Sequence, residues 1–393
     1  MNPVKNPYTP GAGTPPSELA GREALREKVR ICIERLRIGN TAKSVLMVGL
    51  RGVGKTVLLD QMRTDAEATG IHTIRVEAPE NRSLPALLAP ALRVALLRLS
   101  QIEAAKDLAQ KSLRALAGFA KALKFKFQDI EVGIDFEPEK GLADNGDLES
   151  DLTALFVEVG NAAKAAKTVL VIFIDELQYV KQTEFAALIS ALHRCAQLKL
   201  PLTVVGAGLP QLLSLAGEAK SYAERLFDYP IVDKLDKVAA EDAIRKPARN
   251  LNVDYEDAAV ESIISNTQGY PYFLQEWGKH AWDLAQASPI TALDVERASK
   301  ITIAALDESF FRVRLERTTP SEKRYLRAMA ELGPGPHRSG DIAQHMNKKA
   351  NSFGPVRSSL ISKGIVWSPI HGDTAFTVPL FHEYLLRTVP AGT

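Results

Sequence analysis

Two cysteines in 393 residues, Cys32 and Cys195, are too few and too far apart for a disulfide framework or a cysteine-ligated metal site. Both fall in helical patterns, which suits reduced core thiols in a cytosolic setting. Long apolar runs are missing too. The longest, Val169 to Ile174, has the length of a strand and falls far short of what a bilayer span needs. Met1 to Pro10 is proline-rich and carries no apolar segment of the secretory kind, so a cytoplasmic location without membrane contact is expected. Charge of one sign is also lacking. The formal net charge of +2 neither favours nor excludes nucleic acid, because binding depends on where cations cluster. No internal repeat is evident, nor any low-complexity tract beyond the N-terminal arm.

What is present is the composition of a folded protein, 46% hydrophobic and 24% charged, in a chain long enough for two to three domains. Gly49-Leu50-Arg51-Gly52-Val53-Gly54-Lys55-Thr56 spells G-x-x-x-x-G-K-[ST] between the apolar run Ser44–Val48 and the helix-forming run Val57–Met62. That context makes it a phosphate-binding P-loop. Glycines allow the turn that converges backbone N–H groups, from Gly49 through Gly52, Val53 and Gly54 to Val57, on phosphate oxygens. The following helix adds its positive end. Lys55 is placed for the β- and γ-phosphates and Thr56 for Mg²⁺.

Strand candidates at Ser44–Val48, Thr73–Glu77, Val169–Asp175, Leu202–Val205 and near Ile231 alternate with helices, the first at Glu18–Leu36 with Leu25, Val29, Ile31, Cys32 and Leu36 on its apolar face. An α/β fold is expected: a P-loop parallel sheet with helices on both faces, then an all-helical lid and a winged-helix domain. The expected boundaries are an extended proline-rich arm over 1–17, an ATPase core over 18–235 with an insertion at about 84–151, a lid over 236–306, and a winged helix over 307–393. In the insertion, Leu84 to Leu123 is largely helical, Lys124 to Phe136 alternates like a strand pair or bulged edge strand, and Glu137 to Asp151 reads as an acidic loop. The insertion is either a partner-contacting element or a decoration capping the fold.

Val169 to Asp175 is a buried-strand pattern that delivers Asp175 and Glu176 at its carboxyl end. Asp175 suits Mg²⁺, directly or through water, and Glu176 suits proton acceptance from an attacking water. The adjacent glutamate favours hydrolysis over transfer to a second substrate.

With Gly21-Arg22-Glu23, the P-loop, Asp175-Glu176, Gly269-Tyr270-Pro271 and three helices followed by a hairpin, the chain resembles the AAA+ ATPases, within them the initiator-type (origin-recognition) and STAND-like branch. The resemblance implies that Gly21 and Arg22 lie beside the adenine, that Tyr270 and Pro271 face the nucleotide, and that the cofactors are ATP or ADP with Mg²⁺. It also implies a nucleotide-dependent homo-oligomer in which Arg225 serves as an arginine finger to a neighbouring subunit. The alternative for Arg225 is a surface arginine paired with Glu224 or Asp228. Two departures point to slow turnover. Gly206-Ala207-Gly208 stands where such enzymes often carry a polar sensor, with Thr203 the nearest candidate, and the helix after Pro271 lacks the usual second-sensor arginine.

Asp307 to Thr393 holds twelve Lys and Arg against eight Asp and Glu, a mild excess. Lys348, Lys349, Arg357 and Lys363, with His371 at the wing tip, form the face expected to meet duplex DNA, mainly through phosphates. The expected function is an ATP-dependent switch coupled to DNA binding. The alternative is a STAND-like signalling ATPase whose winged helix is a protein clamp.

Overall fold

The computed structural model describes residues 1–79, 82–123, 136–370 and 372–391. The expected strand pair at 124–136, apart from Phe136 itself, and His371 lie outside the described residues. Two compact units form, one from Arg22–Gly49 and Lys55–Val232, the other from Met1–Gly21, Leu50–Gly54 and Asp233–Thr393.

In the first unit, helices α1 (Glu23–Arg37), α2 (Lys55–Ala68), α3 (Leu84–Leu99), α4 (Lys106–Leu123), α5 (Leu148–Ala165), α6 (Gln182–Gln197), α7 (Leu212–Ala219) and α8 (Ala223–Leu226) surround a five-stranded sheet. The strands are β1 (Ser44–Val48), β2 (His72–Glu77), β3 (Leu170–Asp175), β4 (Leu202–Gly208) and β5 (Phe227–Asp228), in the order β2-β3-β4-β1-β5. All pairings are parallel. Every residue of β1, β3 and β4 is buried, as strands covered on both faces must be. Ile172, Ile174 and Val204 join one core with α3 to α6, while Val45, Met47, Val171, Phe173 and Val205 fill the other face, where α1 and α2 meet β4.

Several expectations shift. The first helix begins at Glu23, because Gly21 turns the chain at φ 68°, and its buried stripe is Val29, Cys32, Ile33 and Leu36. Ile31 is exposed, since a 3.6-residue period places 29, 32, 33 and 36 on one face and 31 off it. The helical part of the insertion is two helices broken at Ser100–Ile102. Its acidic loop ends in a buried carboxylate, Asp151, which accepts from the backbone N–H groups of Asn145 (3.0 Å) and Gly146 (2.8 Å). The fifth strand is Phe227–Asp228, and Ile231 makes only a single bridge to Val48. Both cysteines are buried, and burial pushes Cys32 up to about 11 and Cys195 to about 12, so neither is a reactive thiol. No helix of the described residues is long and apolar enough to cross a membrane.

The second unit contains α9 (Lys237–Arg249), α10 (Asp257–Thr267), α11 (Pro271–Leu284), α12 (Ala292–Leu306), a π-helical turn at Asp307–Phe311 and α13 (Arg312–Glu316). Then follow α14 (Pro320–Glu331), β6 (His337–Arg338), α15 (Ser339–His345), α16 (Gly354–Ser362), β7 (Val366–Trp367), β8 (Asp373–Phe376) and α17 (Phe381–Thr388). Three helices and then a hairpin appear in the expected order. β6 adds a third antiparallel strand, in the order β6-β8-β7, and α17 packs on α14. The N-terminal arm is a strap rather than a free extension. Tyr8 is buried against Gly278, where any side chain would clash, and its hydroxyl donates to Ile244 O, while Asn6 Nδ2 donates to Lys279 O (3.0 Å) and Asp283 Oδ1 (2.8 Å).

Glu322 anchors the C-terminal helices. Its carboxylate closes a capping box with the Thr319 N–H (2.7 Å), and it accepts from Ser359 Oγ (2.6 Å) and Lys363 Nζ (2.7 and 2.9 Å). Burial raises its pKa, but the bonds from Lys363, Ser359 and Thr319 outweigh burial and hold it below the ordinary carboxylate value. A depressed folded pKa gives stability that is present above the unfolded value and lost as pH falls through the folded one. Glu322→Gln is therefore expected to cost about 2 kcal/mol at pH 7 and progressively less below pH 4.5. Urea melts at both pH values check this; an equal loss at each would refute it.

Candidate functional site

The P-loop leaves β1 at Gly49, whose N–H donates to Gly208 O of β4 (3.1 Å). Gly52 and Gly54 sit at φ 82° and 88°, left-handed conformations that favour glycine. Val53 is fully buried and pins the loop, while Thr56 and Val57 are half-buried in the first turn of α2. Lys55 opens that helix, with its backbone N–H groups directed back at the loop. The Lys55 ammonium is buried and donates to Gly49 O at 2.9 Å. Backbone N–H groups, a helix N-terminus and a buried ammonium in one turn form a cradle for an anion of high charge.

The two acids leave β3 one strand away from β1, since β4 lies between them. Asp175 is buried; it accepts from the Glu176 N–H (2.9 Å) and from Arg75 Nη2 of β2 (3.2 Å). The same guanidinium donates through Nε to Asp60 Oδ1 of α2 (2.8 Å) and through Nη1 to Val76 O (2.7 Å). Arg75 thus ties the acid strand to the helix that follows the P-loop.

Glu176 stands in the left-handed region at φ 54° and ψ 36°. A non-glycine residue held there costs on the order of 1 kcal/mol. Gln178 holds the glutamate: its Nε2 donates to Glu176 Oε2, while its Oε1 accepts from Leu209 N at the end of β4 (3.0 Å). Leu177 and Gln178 are among the side chains that crowd the glycines standing where a polar sensor was expected. A Cβ on Gly206 would lie 2.3 Å from Leu177 Cδ1, and one on Gly208 would lie 3.0 Å from Gln178 Oε1. Thr203 is no substitute, because its hydroxyl is buried at 2.9 Å from Ser44 Oγ, at the amino ends of the strands. Sequence reasoning missed Arg75 and Gln178. Only Gln178, two residues beyond Glu176, left a local signal.

Gly21 lies against α9, where a Cβ would sit 2.7 Å from Ala239 Cβ, and Arg22 is buried at the start of α1. Tyr270 packs its ring beneath the P-loop, 3.3 Å from where a Cβ on Gly52 would be, and donates its hydroxyl to Thr377 O (3.0 Å). That hydroxyl is committed to β8's trailing segment rather than turned to a ligand. Pro271 is the first residue of α11, and Tyr272 N donates to Gly52 O (3.3 Å). Arg225 is exposed on α8. Asp228, one of its two expected alternative partners with Glu224, pairs with Lys28 at 3.0 Å.

Two of the four expected DNA contacts are turned inward. Arg357 donates to Thr374 Oγ1 (2.8 Å), Ser368 Oγ (2.7 Å) and Asp373 O (2.7 Å), bracing α16 on the hairpin. Lys363 is spent on Glu322. Sequence alone could not reveal this, since each partner is brought in by the fold. Lys348 and Lys349 are exposed. Among the described residues, no cluster of His, Cys, Asp and Glu could hold a metal ion unaided.

Residues 18–205 match the AAA ATPase domain, and residues 308–385 match a domain of unknown function, DUF8462. Among curated proteins none matches the chain. Of solved structures, the Walker-type ATPase PABY2304 of Pyrococcus abyssi is similar in fold at 16% identity, covering 95% of this chain and 97% of its own, with a TM-score of 0.59. The Aeropyrum pernix Orc1 protein, solved in complex with DNA, is 14% identical over 95% of this chain and 94% of its own, with a TM-score of 0.47. The Thermotoga maritima RuvB Holliday junction branch migration motor is 18% identical over 96% of this chain and 100% of its own, with a TM-score of 0.45. The chain carries an AAA ATPase domain on a P-loop sheet and is an ATP hydrolase.

Proposed function

We propose that the chain is a cytoplasmic, slowly hydrolysing ATP-dependent switch with Mg²⁺ as cofactor, divided into arm, ATPase core, helical lid and winged helix at the boundaries read from the sequence. The observation that carries this reading is the P-loop at Gly49–Thr56 with Asp175 and Glu176 one strand removed. Bound Mg·ATP supplies an electrophilic γ-phosphorus whose charge the metal partly neutralises. Lys55 exchanges its bond to Gly49 O for phosphate oxygens, and the Thr56 hydroxyl holds the metal. Asp175, which accepts from Arg75 and the Glu176 N–H, would hold the metal directly or through water. Glu176, fixed by Gln178, takes the proton of the attacking water. Gly21 and Arg22 border the adenine, and Tyr270 and Pro271 support the loop from below. Arg225, exposed while Asp228 pairs with Lys28, serves a neighbouring subunit of a homo-oligomer.

The output is duplex DNA, met through Lys348 and Lys349. Gel shifts at about 50 and 200 mM salt test this. Binding is expected to weaken with salt, and Lys348→Glu with Lys349→Glu is expected to reduce affinity at least tenfold and the salt slope by about 2. If duplex binding is absent or unchanged in the variant, DNA is not the output. The inward bonds of Arg357 and Lys363 then favour a second reading, a clamp in which the C-terminal domain grips protein.

A further inference from the structure

Arg75 of β2 gathers three oxygen atoms from three segments onto one guanidinium. Its Nε donates to Asp60 Oδ1 of α2 (2.8 Å), its Nη1 to the backbone carbonyl of Val76 (2.7 Å), and its Nη2 to Asp175 Oδ2 of β3 (3.2 Å). All four residues belong to the unit formed by Arg22–Gly49 and Lys55–Val232. Sheet register produces the meeting. Arg75 stands opposite Phe173, two positions before Asp175 in the parallel partner strand, and alternation along a strand puts these side chains on one face.

Carboxylate and carbonyl oxygens are the donors that Mg²⁺, Ca²⁺ and Mn²⁺ prefer. Here a side chain that never gives up its proton stands where such an ion would find them. The Asp175 side chain is 3% exposed, so water does little to screen the guanidinium from a cation that approaches this carboxylate. The Asp60 and Val76 bonds keep the guanidinium from swinging aside. Asp175 Oδ1 accepts from the Glu176 N–H and Oδ2 from Arg75, which leaves each oxygen a lone pair for a metal or its water.

We propose that Arg75 is a positioning residue that acts through Asp175 as its built-in counter-cation, so that Mg²⁺ is kept from Asp175 until it arrives with a triphosphate. The inference rests on the reading of Asp175 as the metal acid of the nucleotide site and adds the order in which the metal enters. A bare Mg²⁺ ion meets a fixed positive charge at the carboxylate. Mg·ATP carries net negative charge, and the same guanidinium does not repel it.

The test titrates Mn²⁺, a stand-in for Mg²⁺ that is read by electron paramagnetic resonance, into the full chain without nucleotide. Up to about 1 mM, the wild type is expected to bind no more Mn²⁺ than Asp175→Asn does. Arg75→Gln is expected to gain a site at least about tenfold tighter than that background, and adding Asp175→Asn to it should remove the gain. Arg75→Lys keeps the charge and loses the three-point bonding; it should exclude Mn²⁺ as the wild type does, a result that packing alone would not give. No gain in a folded Arg75→Gln, or an equal gain in Arg75→Gln and Arg75→Lys, would overturn the proposal. If Arg75→Gln does not fold, the wild type decides: Mn²⁺ held without nucleotide and lost in Asp175→Asn would overturn it, and its absence would support it. The underlying reading has its own control. If Asp175→Asn binds the Mn²⁺ complex of the non-hydrolysable analogue adenylyl-imidodiphosphate at the wild-type level, Asp175 is no metal acid, whatever Arg75 does.

Discussion

Lys55→Ala is expected to abolish measurable ATP binding, and hydrolysis with it. The ammonium is the one fixed, buried cation in the turn that opens α2, and it already makes a 2.9 Å bond to Gly49 O. A charge-assisted bond to phosphate in so dry a place is worth about 3 kcal/mol or more, which corresponds to a loss of affinity of at least a hundredfold. The fold should tolerate the change, because Val53, Leu58 and Leu59 still bury the loop and the helix. Equilibrium binding of a fluorescent ATP analogue, beside a thermal melt of the same sample, separates the two effects. Wild-type affinity in a folded variant would show that the loop is a structural turn.

Glu176→Gln is expected to leave ATP affinity within about threefold and to lower hydrolysis by about 10² to 10⁴, the range that general-base catalysis contributes. The substitution keeps size and shape, and the new amide oxygen can still accept from Gln178. What disappears is the capacity to take a proton. The backbone conformation of Glu176 sharpens the expectation. The residue stands at φ 54°, and Gln178 links its carboxylate to Leu209 N just past β4. In the proposed function, that carboxylate takes the proton of the attacking water.

The parts legible in the sequence are those encoded by adjacent residues. The P-loop is eight consecutive letters, and the acid pair is the end of one apolar run, so spacing alone exposes them. The central strands were equally plain, because burial on both faces makes them uniformly apolar. What depends on distant encounters was not legible. Arg75 meets Asp175 from 100 positions away and Asp60 from 15. Arg357 and Lys363 look like free cations in a basic stretch until the fold brings Thr374 and Glu322 to them. Tyr8 becomes a strap only against Gly278. Ile31 is apolar but lies off the covered face, because helical phase and not hydrophobicity alone decides which side is buried.

The most direct measurement is the identity of the nucleotide recovered from desalted protein after incubation with ATP and Mg²⁺. The wild type should yield ADP, Glu176→Gln should yield intact ATP, and Lys55→Ala should yield neither. Recovery of ADP from Glu176→Gln at the wild-type rate, or of nucleotide from Lys55→Ala at the wild-type level, would contradict the assignment of this site.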